Sequence, residues 1–189
     1  MKLKLLCLLS LLFLASCGSA SGPSIGEASW DGQNYNEDFY ACRTYSIVVQ
    51  EVNYGDTGPV HEAVANWNTA LGDDRFVVYD SPANADSPFH IPALQRSAIV
   101  IARDINQKFA GWTRRLTSYG PCSCDITVSY NGALDPLVIA HELGHCLGMK
   151  HTDPEDIYNV MRSLIVIGAT ITDEDVAIVK EHTNLNDPF

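Results

Sequence analysis

The eleven residues HELGHCLGMKH, at positions 141–151, constrain the fold of this chain more than any other stretch. His141 and His145 stand four residues apart, so on an α-helix both imidazoles leave one face and can grip a single ion. Glu142 lies about 100° around that helix. It can reach a water on the ion but cannot replace a histidine. Ile139, Leu143 and Cys146 fall on the other side and are expected to pack into a core. Asp135 and Pro136 supply a helix start, a capping residue followed by proline at the first helical position. Gly148 is expected to end the helix in a left-handed conformation. The turn then brings His151 back as a third ligand. Three protein ligands leave a fourth coordination position for water, the arrangement of a catalytic zinc rather than a closed structural one. Glu142 is the candidate general base.

The remaining segments suggest how this helix is supported. Phe39 to Val52 is dense in β-branched and aromatic residues and reads as a first strand. Thr57-Gly58-Pro59 opens a helix with an apolar stripe of Val60, Val64, Trp67 and Leu71, closed by Gly72. Phe76 to Tyr79, Ser97 to Ile105, Gly111 to Leu116 and Asp125 to Tyr130 read as further strands. Of these, GWTRRL at 111–116 has the character of an edge strand, because Arg114 and Arg115 discourage edge-to-edge pairing. The expected fold class is α+β, one twisted mixed sheet with the motif helix and a C-terminal helix. His61 and His90 lack partners at ligand spacing and read as ordinary histidines.

The N-terminus carries a different signal. Lys2 and Lys4 precede a nearly uninterrupted apolar run, Leu5 to Leu14, which is too short to span a bilayer and has the length of a signal-peptide core. Leu14-Ala15-Ser16-Cys17 resembles the lipobox of bacterial lipoproteins. That resemblance implies cleavage after residue 16, lipidation of Cys17 and a membrane reached through the lipid anchor alone. Residues 1–16 are thus expected to be a signal peptide, 17–38 a flexible tether and 39–189 a catalytic domain. The location is expected to be the bacterial cell envelope, at the outer membrane or cell surface. An ordinary secretory signal is the alternative, and both take the domain out of the cytoplasm.

Export makes disulfides available to Cys42, Cys122, Cys124 and Cys146, in three possible connectivities. Cys122 and Cys124 are too close in sequence to bridge each other easily. Cys146 reads as a small buried side chain, with a disulfide as the alternative. Net charge bears on partners: it is −11 overall. An acidic chain argues against a nucleic-acid partner, which requires a basic patch.

His141-Glu142-x-x-His145-x-x-Gly148-x-x-His151 resembles the signature of the metzincin zinc peptidases. Asn159-Val160-Met161 resembles their Met-turn, in which Met161 forms an apolar base beneath the histidines without binding the metal. Thr152 after the third histidine, and a final helix capped by Thr172-Asp173-Glu174-Asp175 and bearing Val176, Ile178 and Val179, make the chain most similar to a compact bacterial matrixin. The resemblance implies one catalytic Zn2+, protein or peptide substrates and a monomer. It also implies substrate lying extended along an edge strand, for which 111–116 is the candidate, with Arg114 or Arg115 favouring acidic peptides. Ser163 to Thr170 would shape the neighbouring pocket, its Leu164, Ile165, Val166 and Ile167 forming either an apolar wall or a buried strand. Calcium is compatible with the chain, but no calcium site is legible. Three features depart from the matrixin pattern. No propeptide cysteine is recognisable, no histidine-built structural zinc site is evident, and Arg162-Ser163 stands where some metzincins place a tyrosine. Two alternatives remain: a non-catalytic protein-binding surface lipoprotein that retains the fold, and a zinc hydrolase acting on cell-wall crosslinks.

Overall fold

The computed structural model describes residues 15–16, 41–49, 57–79, 98–104, 111–115, 122–129, 135–151 and 157–183. Its elements in chain order are β1 (Ala15–Ser16), β2 (Tyr45–Val49), α1 (Gly58–Leu71), β3 (Phe76–Tyr79), β4 (Ala98–Asp104), β5 (Gly111–Arg115), β6 (Cys124–Ser129), α2 (Pro136–Cys146), β7 (Leu164–Ile165) and α3 (Asp173–His182). Cys17 and the rest of the expected tether, His90, Thr152 and the side chain of Arg115 lie outside the described residues.

Five strands form one sheet in the order β3-β2-β4-β6-β5. All neighbours pair in parallel except β5, which runs antiparallel to β6 at the edge. This is the mixed sheet expected from the sequence, with GWTRR at its edge. Parallel strands read as continuous apolar runs because both faces are covered, and β4 shows this in buried Ile99, Val100 and Ile101. The alternation of side chains sends Tyr45, Ile47, Ile99, Ile101, Cys124, Ile126, Gly111 and Thr113 to one face. That face meets α2, where the side chain of Thr113 contacts Glu142.

α1 buries the stripe read from its spacing, Val60, Val64, Trp67 and Leu71, with Ala63 between them. Gly72 stops it with a φ of 74°, a conformation that costs a residue without a Cβ little. Two hydrogen bonds of 2.9 Å then join the Asn68 side chain to the N–H and C=O of Phe76, imitating a strand neighbour at the start of β3. Trp67 is fully buried, and its indole N–H donates to the Ala140 carbonyl at 2.8 Å. α1 is thereby fixed to α2 one residue before His141. Truncating such a tryptophan to alanine costs about 3–5 kcal/mol.

Two disulfides resolve the cysteine pairing: Cys42–Cys122 and Cys124–Cys146, each with Cα atoms 5.9 Å apart. Cys122 and Cys124 do not bridge each other, in keeping with their spacing. The segment before β2 and the end of α2 are therefore both stapled to the start of β6. The Tyr45 hydroxyl strengthens the same junction, 3.0 Å from the Cys42 N–H that it accepts and 3.2 Å from the Cys146 carbonyl that it donates to.

α3 begins with the capping box expected at Thr172, whose side chain and that of Asp175 each accept the other's backbone N–H. Its buried face is narrower than the sequence suggests. Asp175 and Val179 are buried and Val176 is half-buried, while Ile178 is 36% exposed. The Asp175–Val179 ridge is buried in the core, with Val176 packed against its edge. The end of α3 meets the start of the domain through Ala41 N–H to His182 C=O, at 2.7 Å. Ala15–Ser16 pairs antiparallel with Leu164–Ile165. Among the described residues, no helix is long and apolar enough to cross a membrane.

Candidate metal centre

α2 starts with Asp135 in extended conformation, its carboxylate accepting the Leu137 N–H at 2.8 Å. The helix is buried throughout from Val138 to Cys146. It ends in a Schellman arrangement, Met149 N–H to Gly144 C=O at 3.0 Å and Gly148 N–H to His145 C=O at 2.9 Å. Gly148 has a φ of 93°, as the turn requires. This reversal carries His151 to the two helix histidines. Ring centroids are 4.6 Å apart for His141–His145, 5.3 Å for His141–His151 and 5.0 Å for His145–His151. One nitrogen from each ring lies within 4.8 Å of the others.

Main-chain carbonyls from two turns orient the helix histidines. His141 Nδ1 is 2.8 Å from the Val160 carbonyl, and His145 Nδ1 is 2.9 Å from the Met149 carbonyl. A carbonyl accepts only, so both Nδ1 atoms carry the hydrogen and both Nε2 atoms present lone pairs. Those two Nε2 atoms are 3.1 Å apart. Lone pairs at that separation repel unless a cation lies between them. His151 adds a buried Nε2 with no hydrogen-bond partner. Three inward lone pairs of borderline-soft nitrogen are the donor set that zinc takes. The residues fit the ion.

Burial sets the protonation of the cluster. It pushes His141 down to about 4, with His151 acting in the same direction and the Val160 hydrogen bond opposing. Burial also holds His145 well below its ordinary value, helped by His141, and lowers His151. Near neutral pH all three rings are therefore uncharged. That is the ligating form.

Glu142 is fully buried on the sheet side of α2. Thr113 of β5 donates its hydroxyl to Glu142 Oε2 at 2.5 Å. Gly111, two residues earlier on the same face, leaves the space that the carboxylate fills. A Cβ there would lie 2.8 Å from Glu142 Cγ and 2.9 Å from Cδ.

Met161 is fully buried beneath α2. A Cβ on Gly144 would collide with its sulfur and lie 2.9 Å from its Cε, and 3.3 Å from Trp67 Cζ2. The loop bearing Met161 is held by Asn159, whose side-chain oxygen accepts the Met161 N–H at 2.6 Å. Downstream, Ile165 is buried, Val166 half-buried and Ile167 84% exposed, so the apolar run is split between core and solvent.

Arg114 points away from this centre. Alternation places it on the face opposite Thr113, where it pairs with Asp125 at 3.1 Å and lies 5.5 Å from the Trp112 ring centroid. Burial raises the Asp125 carboxyl despite that partner. A role for Arg114 in drawing acidic peptides finds no support in this position.

From the sequence, Gly111 and Thr113 are read only as parts of an edge strand and Asn159 only as part of the Met-turn, and Gly144 is not singled out. Gly144 was the most legible of them, since glycine inside a helix costs about 1 kcal/mol relative to alanine and needs a packing reason. Gly111 could have been flagged as a strand glycine marking close approach.

No family model and no curated protein sequence matches the chain. Solved structures do. Metalloproteinase-II from Bacteroides fragilis superposes with a TM-score of 0.52 at 12% identity, over 80% of this chain and 56% of that one. Archaemetzincin from Methanopyrus kandleri gives a TM-score of 0.44 at 13% identity, over 78% of this chain and 97% of that one. The chain thus spans little more than half the length of the first. With a five-stranded mixed sheet and three helices among the described residues, it has the α+β zincin fold of that metalloproteinase.

Proposed function

We propose that this chain is a zinc-dependent endopeptidase of metzincin type, in which His141, His145 and His151 hold the ion and Glu142 is the general base. The observation that carries the reading is the convergence of three histidine nitrogens, two of them on the helix that also bears the buried, strand-held carboxylate of Glu142. Bound zinc supplies a Lewis acid for the scissile carbonyl and lowers the pKa of water toward ~7. Glu142 accepts the proton of the attacking water and passes it to the leaving amine. Met161 contributes an apolar floor under the histidines. The Bacteroides structure is described as a metalloproteinase, which agrees with this reading at the level of the fold. Cys17 is proposed as the lipid-bearing anchor, on the Leu14-Ala15-Ser16-Cys17 sequence; Cys17→Ser should move the protein from the membrane fraction to the soluble one.

Digestion of a denatured protein substrate by wild type and Glu142→Gln, with zinc measured on both, tests the proposal. Expected are one zinc per chain in each and a loss of about 10²–10⁴-fold in the variant, the range of general acid–base catalysis. Equal rates would remove Glu142 from the mechanism, and a zinc-free wild type would remove the site. Zinc in both with no hydrolysis would favour a binding protein.

A further inference from the structure

Glu142 is buried, and its carboxylate touches the edge strand of the sheet. The Thr113 hydroxyl is 2.5 Å from Glu142 Oε2 and 3.2 Å from the Glu142 main-chain carbonyl. A hydroxyl has one proton to give. The shorter, charge-assisted contact takes it when the carboxylate is ionised. Thr113 is itself 2% exposed, so water does not compete for this proton. Gly111 closes the other side, since a Cβ at that position would overlap the carboxylate. Residues 111 and 113 share a strand face, and together they seat the Glu142 carboxylate against β5, with Oε2 on the threonine.

We infer that Thr113 is the positioning residue for Glu142, orienting the base from the edge strand through its Oγ1–H···Oε2 hydrogen bond. Tying the base to β5 has a specific use. A carboxylate on the side of a helix has free rotation about its terminal bonds, whereas proton transfer needs a fixed oxygen within hydrogen-bond reach of the water. The threonine removes that rotation. Because β5 is the outermost strand, an extended chain pairing with it would press on the element that aligns the base. The assignment rests on the proposed peptidase reading for its kinetic consequence, but the hydrogen bond can be tested without it.

Thr113→Val keeps the shape and removes the hydroxyl, while Thr113→Ser keeps the hydroxyl. Outer partners of catalytic groups are worth about 10–100-fold in activity. The valine variant should lose about that much kcat on a peptide substrate with KM within about twofold, and the serine variant should recover most of the loss. Zinc content and unfolding midpoint, measured on both, show whether each folds. In crystal structures of the full chain, the Glu142 carboxylate should stay against β5 in wild type and the serine variant, and take another rotamer or several in the valine variant. A valine variant with wild-type kcat, or with Glu142 unmoved, overturns the assignment. If wild type binds zinc yet cleaves nothing, the peptidase reading fails, and the carboxylate positions alone decide whether Thr113 holds Glu142.

Discussion

The side-chain amide of Asn159 donates to both carboxylate oxygens of Asp175, at 2.9 and 3.0 Å, joining the turn that carries Met161 to the first turn of α3. Asp175 is fully buried and also accepts the N–H and hydroxyl of Thr172, at 2.8 and 2.9 Å. Asn159 is 98% shielded from solvent, and its oxygen holds the Met161 N–H. A charged acceptor with four hydrogen bonds is costly to lose. Asp175→Ala should destabilise the protein by about 3 kcal/mol or more, since it strands the Asn159 amide and the Thr172 donors. Asn159→Ala should do comparable damage and also weaken zinc binding, because Val160, which orients His141, lies in the same turn. Urea midpoints and zinc titrations check both. A neutral Asp175→Ala would mean that α3 does not hold the turn.

Gly144 can be tested by adding one methyl. Gly144→Ala drives a Cβ into the Met161 side chain beneath the histidines. Overpacking of this kind costs about 1–3 kcal/mol. Shortening the obstacle should reverse part of it, so the variant carrying both Gly144→Ala and Met161→Ala should be more stable than the sum of the single effects. Strict additivity in thermal unfolding would show that the two side chains do not meet.

Zinc should be part of the folding energy. Removing it with a chelator should lower the melting temperature, and free zinc at one hundred times its dissociation constant should restore about 2.7 kcal/mol. His151→Ala should abolish most of that gain, while His61→Ala, an exposed residue of α1, should leave it intact. Equal zinc response in both variants would remove His151 from the ligand set.

The buried histidines give the zinc-free protein a defined acid sensitivity. In the unfolded chain they take protons as pH falls through about 6.5. In the folded chain His141 resists until about 4, with His145 and His151 also lowered. The unfolded state therefore binds more protons in this window, and stability is full above about pH 6.5 and falls below it. His141 contributes a slope of about 1.4 kcal/mol per pH unit within this window, and His145 and His151 act in the same direction. Urea unfolding of the zinc-free protein from pH 8 to 4.5 should show the decline, and His141→Gln should make it shallower. A curve insensitive to that substitution would contradict the burial of His141.

What was legible in the sequence followed from short-range periodicity. The stripe of α1, the Asp135 cap, the turn at Gly148 and the three-histidine window depend on residues within a few positions of each other, and all appear in the structure. The strand segments were legible as segments, and β5 as an edge. Their order and the pairing of Thr113 with Glu142 were not, because contacts across 29 residues depend on sheet register. The disulfide partners were hidden for the same reason, with separations of 80 and 22 residues. The two space-making glycines carry no side chain to read. Their meaning lies in Glu142 and Met161, the neighbours that occupy the gap.

The tripeptide Cys122-Ser123-Cys124 places two oxidised sulfurs next to each other while their partners come from distant parts of the chain. A small-molecule thiol can open the first bridge and remain as a mixed disulfide on Cys42. The freed Cys122 thiolate can then attack Cys146, and the released Cys124 thiolate displaces the small thiol from Cys42. A crossed isomer, Cys42 with Cys124 and Cys122 with Cys146, is therefore three exchanges from the native pairing, with the small thiol returned, and is identical to it in mass. In that isomer the end of α2 would be tethered two residues away on the chain from its native anchor, at Cys122 in place of Cys124. Zinc content per molecule would then report the fraction of correctly paired chains.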